Sequence, residues 1–244
     1  MKGFGTEKLE DELSMLFPGA RVARMDLDTT RKKGSFDRII GDLETGKTDI
    51  LIGTQMISKG LDFENLTVVG ILNIDNMLYF PDFRSHEKCF QMIEQVSGRA
   101  GRRSKQGKVI VQTFDPFHPV MVQALNHNFR GMIESQLHER KEFNYPPFTR
   151  LIKLYVRHRD RGMAIAGSAA LADRLRGYFG NRILGPEPPL MSRVQSYFIM
   201  AIIIKLESTR GAQKAKSRIT GIIGEIKDSG DWPGLKIHAD VDPV

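Results

Sequence analysis

The chain has 244 residues, 41% of them hydrophobic and 27% charged, which is typical of a globular protein with one large or two ordinary domains. No apolar run approaches the ~20 residues of a membrane-spanning helix, and the first residues lack the apolar core of an export signal. The single cysteine, Cys89, excludes an internal disulfide and a multi-cysteine zinc site. Together these features favour a cytoplasmic protein.

The net charge of +7 is unevenly distributed along the chain. Residues 1–144 balance their basic and acidic side chains, whereas residues 145–244 hold 16 Lys and Arg against 9 Asp and Glu. The whole excess therefore lies in the last hundred residues and predicts a surface that faces a polyanion there. An ordinary solvated surface of lysines and arginines is the alternative interpretation.

Hydrophobic periodicity in the first part of the chain predicts alternating helices and strands, which is typical of an α/β domain with a parallel sheet. Helices are expected over 7–17 (capped by Thr6), 34–45, 85–97 (capped by Ser85) and 119–143, the last with a weak point at 126–128. Strands are expected over 21–25, 50–52, 66–72 and 108–114. Predicted core-facing residues are His86, Phe90, Ile93 and Val96 of the third helix, Cys89, and Val122, Leu125, Phe129, Met132, Ile133 and Leu137 of the fourth.

Residues 41–48, Gly-Asp-Leu-Glu-Thr-Gly-Lys-Thr, match the pattern of a phosphate-binding P-loop. A P-loop must follow a strand and open a helix, so that backbone N–H groups point at phosphate. Here the expected helix precedes the motif and the expected strand follows it. We therefore interpret Gly46 as a helix C-cap and not as part of a nucleotide site.

The paired prolines of Asn144-Tyr-Pro-Pro-Phe148 remove backbone donors and force an extended path, so we place a domain boundary there, between domains 1–143 and 144–244. The second domain is expected to contain strands at 151–157, 183–184, 196–206 and 235–241 and helices at 162–179 and 211–227. This order, β-α-β-β-α-β, is the split βαβ or ferredoxin-like arrangement. Such folds host many functions, so the fold alone names none.

Two stretches carry the chemistry. Gln95-Val-Ser-Gly-Arg-Ala-Gly-Arg102 places two arginines three residues apart, a spacing that brings both guanidinium groups to one side of a helix or turn. Asp49-Ile-Leu-Ile-Gly-Thr-Gln55, continued by Lys59-Gly-Leu-Asp-Phe63, places a polar loop after a buried strand. Planar arginines and strand-end loops are suited to phosphate chemistry. Asp26-Leu-Asp-Thr-Thr30 is expected to be a turn, with a DNA contact as the alternative.

These two stretches resemble motifs V and VI of superfamily 2 helicases, and with Tyr79-Phe-Pro-Asp-Phe-Arg84 between them the chain is similar to the PriA family of replication-restart helicases (primosomal protein N-prime). The resemblance runs from Gly5-Thr-Glu-Lys8 to Asp240-Val-Asp-Pro243. It implies a second RecA-like helicase lobe followed by a C-terminal domain. The P-loop and the acidic Mg²⁺-binding motif would belong to a first lobe, and the zinc-binding cysteines of the family would precede Gly5; none of these is among the 244 residues.

The resemblance also implies an ATP-dependent 3′→5′ DNA helicase that recognises stalled forks and assembles the primosome. Catalytic roles fall to Arg99 and Arg102, which would reach the γ-phosphate of ATP bound with Mg²⁺, and to Gln95. Gly60 and Asp62 would line the nucleotide, and Thr54, Gln55 and Lys59 the DNA backbone. The piece with only the second lobe is expected to be inactive alone.

For the C-terminal domain the resemblance implies binding of branched DNA or of the acidic tail of single-stranded DNA-binding protein. Arg193, Gln195 and Tyr197 are candidate contacts, since alternate positions of one strand share a face; packing of Tyr197 is the alternative. Two other functions stay open: a fork-remodelling duplex-DNA translocase of the same superfamily, and a non-enzymatic module that binds forks or replication proteins.

Overall fold

The computed structural model describes residues 5–31, 34–54, 66–98, 107–207 and 211–243. The chain divides into two compact units, Met1–Ile133 and Glu134–Val244. The domain boundary predicted from the sequence, after residue 143, lies ten residues beyond this division, and it stays a prediction.

The first unit is built from parallel strand pairs with intervening helices. In one pair the strand that begins at Val22 runs parallel to the strand that begins at Ile50. In the other pair the strand that begins at Val68 runs parallel to the strand that begins at Lys108. Parallel strands require a crossover connection, usually a helix, so the α/β class predicted from the sequence is confirmed. The described elements are α1 (Thr6–Leu16), β1 (Val22–Met25), α2 (Ser35–Glu44), β2 (Ile50–Gly53), β3 (Val68–Ile71), α3 (Asp75–Leu78), α4 (Ser85–Ser97), β4 (Lys108–Val111) and α5 (Pro119–Leu125); α6 (Phe129–Glu142) crosses into the second unit.

The core around α4 is the one that the sequence predicted. Phe90, Ile93 and Val96 are buried in a cluster with residues of β3, α3 and α5. Cys89 is fully buried beside them, and burial raises the pKa of its thiol to about 12. The thiol is therefore held neutral and acts as a small apolar side chain.

The predicted N-caps are wrong by one residue. Gly5 is the N-cap of α1 and Arg84 the N-cap of α4, so Thr6 and Ser85 are the first helical residues. Thr6 instead uses its hydroxyl to donate a hydrogen bond to the Asp26 carboxylate at 2.7 Å. A tertiary partner twenty residues away has therefore replaced the local cap that the sequence suggested.

The break predicted at 126–128 is confirmed, but the apolar side predicted for residues 119–143 is mostly wrong. Leu125 is 73% exposed and Phe129 57% exposed, whereas Met132 is buried as expected. The break, with His127 at φ +50°, separates α5 from α6, so one helical period does not run through both. The buried residues of α5 are Val120, Met121 and Ala124.

The P-loop interpretation of residues 41–48 is excluded as the sequence argument expected, since α2 ends within the segment and β2 follows it, the reverse of the order that a P-loop requires. Thr45 is the C-cap, and Gly46 follows it with φ +69°, one position later than predicted. The N–H groups of Lys47 and Thr48 donate to the Asp42 carbonyl at 2.7 and 2.9 Å. The backbone donors that a phosphate would need are used within the turn itself.

The segment from Asp26 to Thr30 is the turn that the sequence predicted. One carboxylate oxygen of Asp26 accepts the N–H groups of Asp28 and Thr29 at 3.0 and 2.9 Å, and the other accepts the Thr6 hydroxyl and lies 3.1 Å from Arg24 Nε. The hydrogen bond from Thr29, followed by that from Thr6, lowers the pKa of Asp26 to about 2. The ionised carboxylate thus joins the end of β1 to the start of α1.

The second unit is a four-stranded antiparallel sheet with an added short strand, and its order β6-β8-β5-β9 is that of a split βαβ fold. The ferredoxin-like prediction is confirmed. Its elements are β5 (Thr149–His158), α7 (Arg161–Phe179), β6 (Ile183–Glu187), β7 (Arg193–Val194), β8 (Tyr197–Glu207), α8 (Ala212–Asp228) and β9 (Lys236–Val241).

Helices α7 and α8 contribute to one core on one face of the sheet. Leu154 of β5 and Ile204 of β8 are fully buried there, together with Leu171 of α7 and Ile222 of α8. Because side chains alternate along a strand, the residues between these point to the opposite face. That face carries Lys153, Tyr155 and Arg157.

We expect Ile204→Ala to lower the free energy of unfolding of the second unit by about 2–5 kcal/mol, because it opens a cavity in the core. The matched control is Ile203→Ala, one residue along β8 on the other face, where the side chain is half-buried. Thermal unfolding followed by circular dichroism measures both. Equal losses would contradict the assignment of faces.

We expect Asp26→Asn to lower the stability of the first unit at neutral pH by about 1–2 kcal/mol, because one oxygen loses its hydroxyl donor and its ion pair. The lowered pKa of Asp26 means that its contribution is complete above the unfolded pKa of ~3.9 and is lost as the pH falls toward 2. The variant should therefore show a shallower acid-side decline in thermal midpoint. Asp28→Asn, at an exposed site beside Arg31, is the control and should leave the profile unchanged.

Candidate functional sites

The structure describes two of the residues predicted for the motor site. Thr54 is exposed directly after β2, and Gln95 is exposed on α4 between the buried Ile93 and Val96. The helix predicted to deliver the two arginines is present and ends at Ser97, with the Gly98 N–H bonded to the Glu94 carbonyl at 3.0 Å. The other members, Gln55, Lys59, Gly60, Asp62, Arg99 and Arg102, lie outside the described residues, and their roles stay predictions.

The Tyr79–Arg84 stretch sets the start of α4. Asp82 accepts the Arg84 N–H and the Lys88 ammonium, both at 2.9 Å, so it links the residue before the helix to a side chain of the first turn. Burial alone would raise the pKa of Asp82, but the hydrogen bonds from Lys88 and Arg84 outweigh it and hold the pKa below its usual value. Asp82 thus remains charged at neutral pH and fixes the first turn.

A pair of histidines packs at the same end of α4. The ring of His86 lies 5.2 Å from that of His118, whose Nδ1 accepts the Val120 N–H at 3.2 Å and so caps α5. Burial, and then the neighbouring His86, lower the pKa of His118, which keeps that ring neutral and able to accept. The structural role expected for His86 fits this packing.

The argument that placed Arg193, Gln195 and Tyr197 on one strand face is wrong. Arg193 pairs with Phe198 across a hairpin whose turn is formed by Gln195, at φ +54°, and Ser196. Directly paired residues share a face, and consecutive ones do not, so Arg193 and Tyr197 lie on opposite faces. The Arg193 guanidinium packs 5.1 Å from the Phe198 ring. The roles of Arg193, Gln195 and Tyr197 in DNA binding stay predictions, but Arg193 and Tyr197 cannot contribute to one shared surface of the strand.

Tyr197 is surrounded by cations that the sequence argument missed. The Lys236 ammonium lies 4.8 Å from the centre of the Tyr197 ring, and the Arg159 guanidinium lies 5.7 Å from it. Hydrogen bonds from Lys236 and then Arg159 lower the pKa of the Tyr197 phenol. The alternation of Lys153, Tyr155 and Arg157 along a predicted strand signalled basic and aromatic residues on this side of the sheet, but not the contacts of Tyr197 with Arg159 and Lys236.

Tyr197 and Lys236 border a cleft of about 160 Å³. In the part of the chain that the structure describes, no carboxylate lies within 4.0 Å of the charged groups of Arg157, Arg159 or Lys236. The Arg157 Nε is buried and has no hydrogen-bond partner among those residues. The cleft is lined by Arg157, Val194, Gln195, Tyr197, Ile199 and Lys236.

The Asp240-Val-Asp-Pro243 stretch joins the edge strand β9 to its neighbour β5. Asp242 accepts hydrogen bonds from the Arg150 guanidinium and from the Leu151 N–H, and its own N–H donates to the Leu151 carbonyl at 2.8 Å. The bond from Arg150 lowers the pKa of Asp242. This motif therefore closes the sheet at the end of β9.

Among the described residues, no helix is long and apolar enough to cross a membrane. Within the same ranges, His, Cys, Asp and Glu do not form a group of three or more that could hold a metal ion.

Two family models match the chain. Residues 5–104 match the helicase conserved C-terminal domain, and residues 141–244 match the primosomal protein N C-terminal domain. The first match spans the described parts of α1 to α4, and the second spans the split βαβ sheet.

Curated relatives carry the name replication restart protein PriA. The relative from Bacillus subtilis (strain 168) is 42% identical over 83% of this chain and 26% of its own length. The relative from Haemophilus influenzae is 38% identical over 87% of this chain and 30% of its own length. The relative from Treponema pallidum is 35% identical over 99% of this chain and 36% of its own length.

The chain thus spans about a quarter to a third of the length of these relatives. The two family models agree with the order of the two units along the chain. The chain belongs to the PriA replication-restart helicase family and carries its C-terminal domain together with a helicase C-terminal lobe.

Proposed function

We propose that this chain forms part of an ATP-dependent 3′→5′ DNA helicase that recognises stalled or branched replication forks and assembles the primosome. The observation that carries the proposal is the joint match to a helicase lobe and to the primosomal C-terminal domain in one chain. The relatives named for replication restart support it. The setting is the cytoplasm, where the chromosome of a bacterium is replicated.

In the motor, Arg99 and Arg102 follow the end of α4 and reach the γ-phosphate of ATP, which a P-loop outside these 244 residues holds with Mg²⁺. Arginines in this position stabilise the charge that develops during phosphoryl transfer and typically contribute ~10³–10⁵ in rate. Gln95 orients the attacking water, while Gly60 and Asp62 contact the nucleotide. Thr54, Gln55 and Lys59 contact phosphates of the DNA.

The second unit binds DNA at the fork and the acidic tail of single-stranded DNA-binding protein, along with other primosome proteins. Its support is the charge excess, which lies entirely in residues 145–244. A non-enzymatic role in fork binding is the second candidate for the chain by itself, because the P-loop is not among its residues. The two roles coexist when the chain is part of the helicase.

We expect the purified chain to show no DNA-stimulated hydrolysis of ATP, because the group that would hold the β- and γ-phosphates is not in its sequence. Phosphate release in the presence of forked DNA measures this, and Arg99→Ala should behave identically to the parent chain. Robust hydrolysis that Arg99→Ala abolishes would overturn the proposed division of the motor.

We expect the chain to bind forked DNA more tightly than plain duplex or single strands, with affinity that falls steeply as salt increases. Each phosphate contact on duplex DNA contributes about 0.9 to the slope of log affinity against log salt. Fluorescence anisotropy at two salt concentrations measures both quantities. Absence of binding at low salt would contradict DNA recognition by this chain. The excess positive charge would then serve to bind a protein partner.

Charge reversals on α8 test whether the helix layer takes part. Lys214, Lys216 and Arg218 are exposed on that helix, and Arg218 packs 5.4 Å from the ring of Tyr178. Replacing each with Glu should weaken fork binding if this layer contacts DNA. Asp228→Asn, at the exposed end of the same helix, serves as a control for nonspecific charge effects.

A further inference from the structure

One face of the second unit's sheet concentrates basic and aromatic side chains. Lys153 and Arg157 lie 5.3 and 5.9 Å from the Tyr155 ring, which stands between them on β5. In the ladder Arg157 is directly opposite Lys236 of β9. We call this the basic sheet face, and it comprises Lys153, Tyr155, Arg157, Arg159, Tyr197 and Lys236.

The core helices α7 and α8 pack on the other side of the sheet. Ile152, Leu154 and Val156, which alternate with the basic residues of β5, belong to the cluster that these helices bury. The position of the basic sheet face is therefore fixed by the same strand that builds the core.

The charges of this face are not neutralised within the described residues. Arg157, Arg159 and Lys236 have no carboxylate within 4.0 Å there, and the buried Arg157 Nε has no acceptor. A buried donor without a partner costs free energy, and like charges brought together repel. An anion placed in the cleft between Arg157 and Lys236 would relieve that repulsion.

We propose that the basic sheet face binds single-stranded DNA, with one phosphate in the cleft between Arg157, Lys236 and Tyr197 and further contacts along β5. This inference rests on the proposed DNA-binding role of the chain and deepens it.

The chemistry of the face favours a single strand over a duplex. Tyr155 and Tyr197 stand among the cations, and tyrosine rings contact unpaired bases that a duplex would keep stacked inside. An antiparallel sheet of a split βαβ fold with a free aromatic face is a platform on which single strands of nucleic acid bind in other modules. Val194 and Ile199 contribute apolar side chains to the lining of the cleft.

Carboxylates mark the limits of the face. Asp240 lies opposite Lys153 in the ladder, and Glu187 lies opposite Ala201 on β8. Both stand away from the Arg157–Lys236 pair, so the attraction for phosphate is strongest at the β7–β8 hairpin end of the sheet.

The test uses the full 244-residue chain and fluorescein-labelled oligothymidylate, with affinities measured from about 50 to about 200 mM salt. Arg157→Gln combined with Lys236→Gln should weaken binding about tenfold or more and lower the salt slope by about 0.7, the value expected for the loss of one phosphate contact on a single strand. The matched control, Lys214→Gln with Lys216→Gln, removes the same charge from α8 and should change the affinity less than about threefold.

Because Arg157 is partly buried, its replacement could weaken binding by disturbing the fold. A second double variant therefore changes only exposed residues. Arg159→Gln with Lys236→Gln changes two exposed residues, and circular dichroism confirms that each variant is folded. Photo-crosslinking with a strand that contains 5-iodouracil gives an independent readout. Crosslinks located by mass spectrometry at Tyr155 or Tyr197 support the proposal, whereas crosslinks confined to α8 overturn it.

The outcomes separate this inference from the proposed function. Loss of affinity in the α8 control with none in the sheet-face variants would overturn the inference and leave DNA binding by the chain intact. Failure of the parent chain to bind any DNA would overturn both the inference and the proposed DNA-binding role of the chain. Arg157-dependent binding of an aspartate-rich peptide without binding of oligothymidylate would overturn the inference in favour of a protein ligand.

Discussion

The burial of alternate residues on β5 and β8 beneath two helices is the constraint on which the second unit depends. Leu154, Ile202 and Ile204 are fully buried, and each such side chain contributes about 1.5–3 kcal/mol through removal from water. A shift of one residue in register would exchange the two faces of the strand. The core therefore dictates which side chains lie on the other face. Because Leu154 and Val156 point into the core, Tyr155 and Arg157, which alternate with them along β5, point to the opposite face.

Sequence periodicity predicted the elements whose burial is local and regular. The alternation along β5, the helix α4 with Phe90 and Ile93 inward, and the order of strands and helices in the second unit are all confirmed. The exclusion of a P-loop at 41–48 also followed from element order alone. In these cases a strong local pattern and the tertiary fold agree.

The sequence failed where a short turn or a distant partner decides the geometry. The hairpin at Gln195 lacks the Asn-Gly or Asp-Gly that marks two-residue turns, so the segment looked like one continuous strand. Thr6 looked like a cap, yet its hydroxyl bonds to Asp26. The two cations beside Tyr197 come from separate elements, Arg159 after β5 and Lys236 on β9, while Tyr197 itself belongs to the β7–β8 hairpin. Periodicity within one segment cannot bring these three residues together.

The distribution of compensating carboxylates distinguishes the two basic layers of the second unit. On the helix layer Glu225 lies 3.6 Å from both Arg174 and Arg218, so part of the positive charge is balanced within the protein. Around the cleft, the described residues supply no such carboxylate to Arg157, Arg159 or Lys236. Exposed pairs contribute little stability, but they do cancel the field that a polyanion would experience. The two layers therefore differ in what surrounds their tyrosine rings. On the sheet side Tyr197 packs against Arg159 and Lys236, which have no carboxylate partner among the described residues, whereas on the helix layer Tyr178 packs against Arg218, which Glu225 balances in part. A net charge counted from sequence alone does not make that distinction.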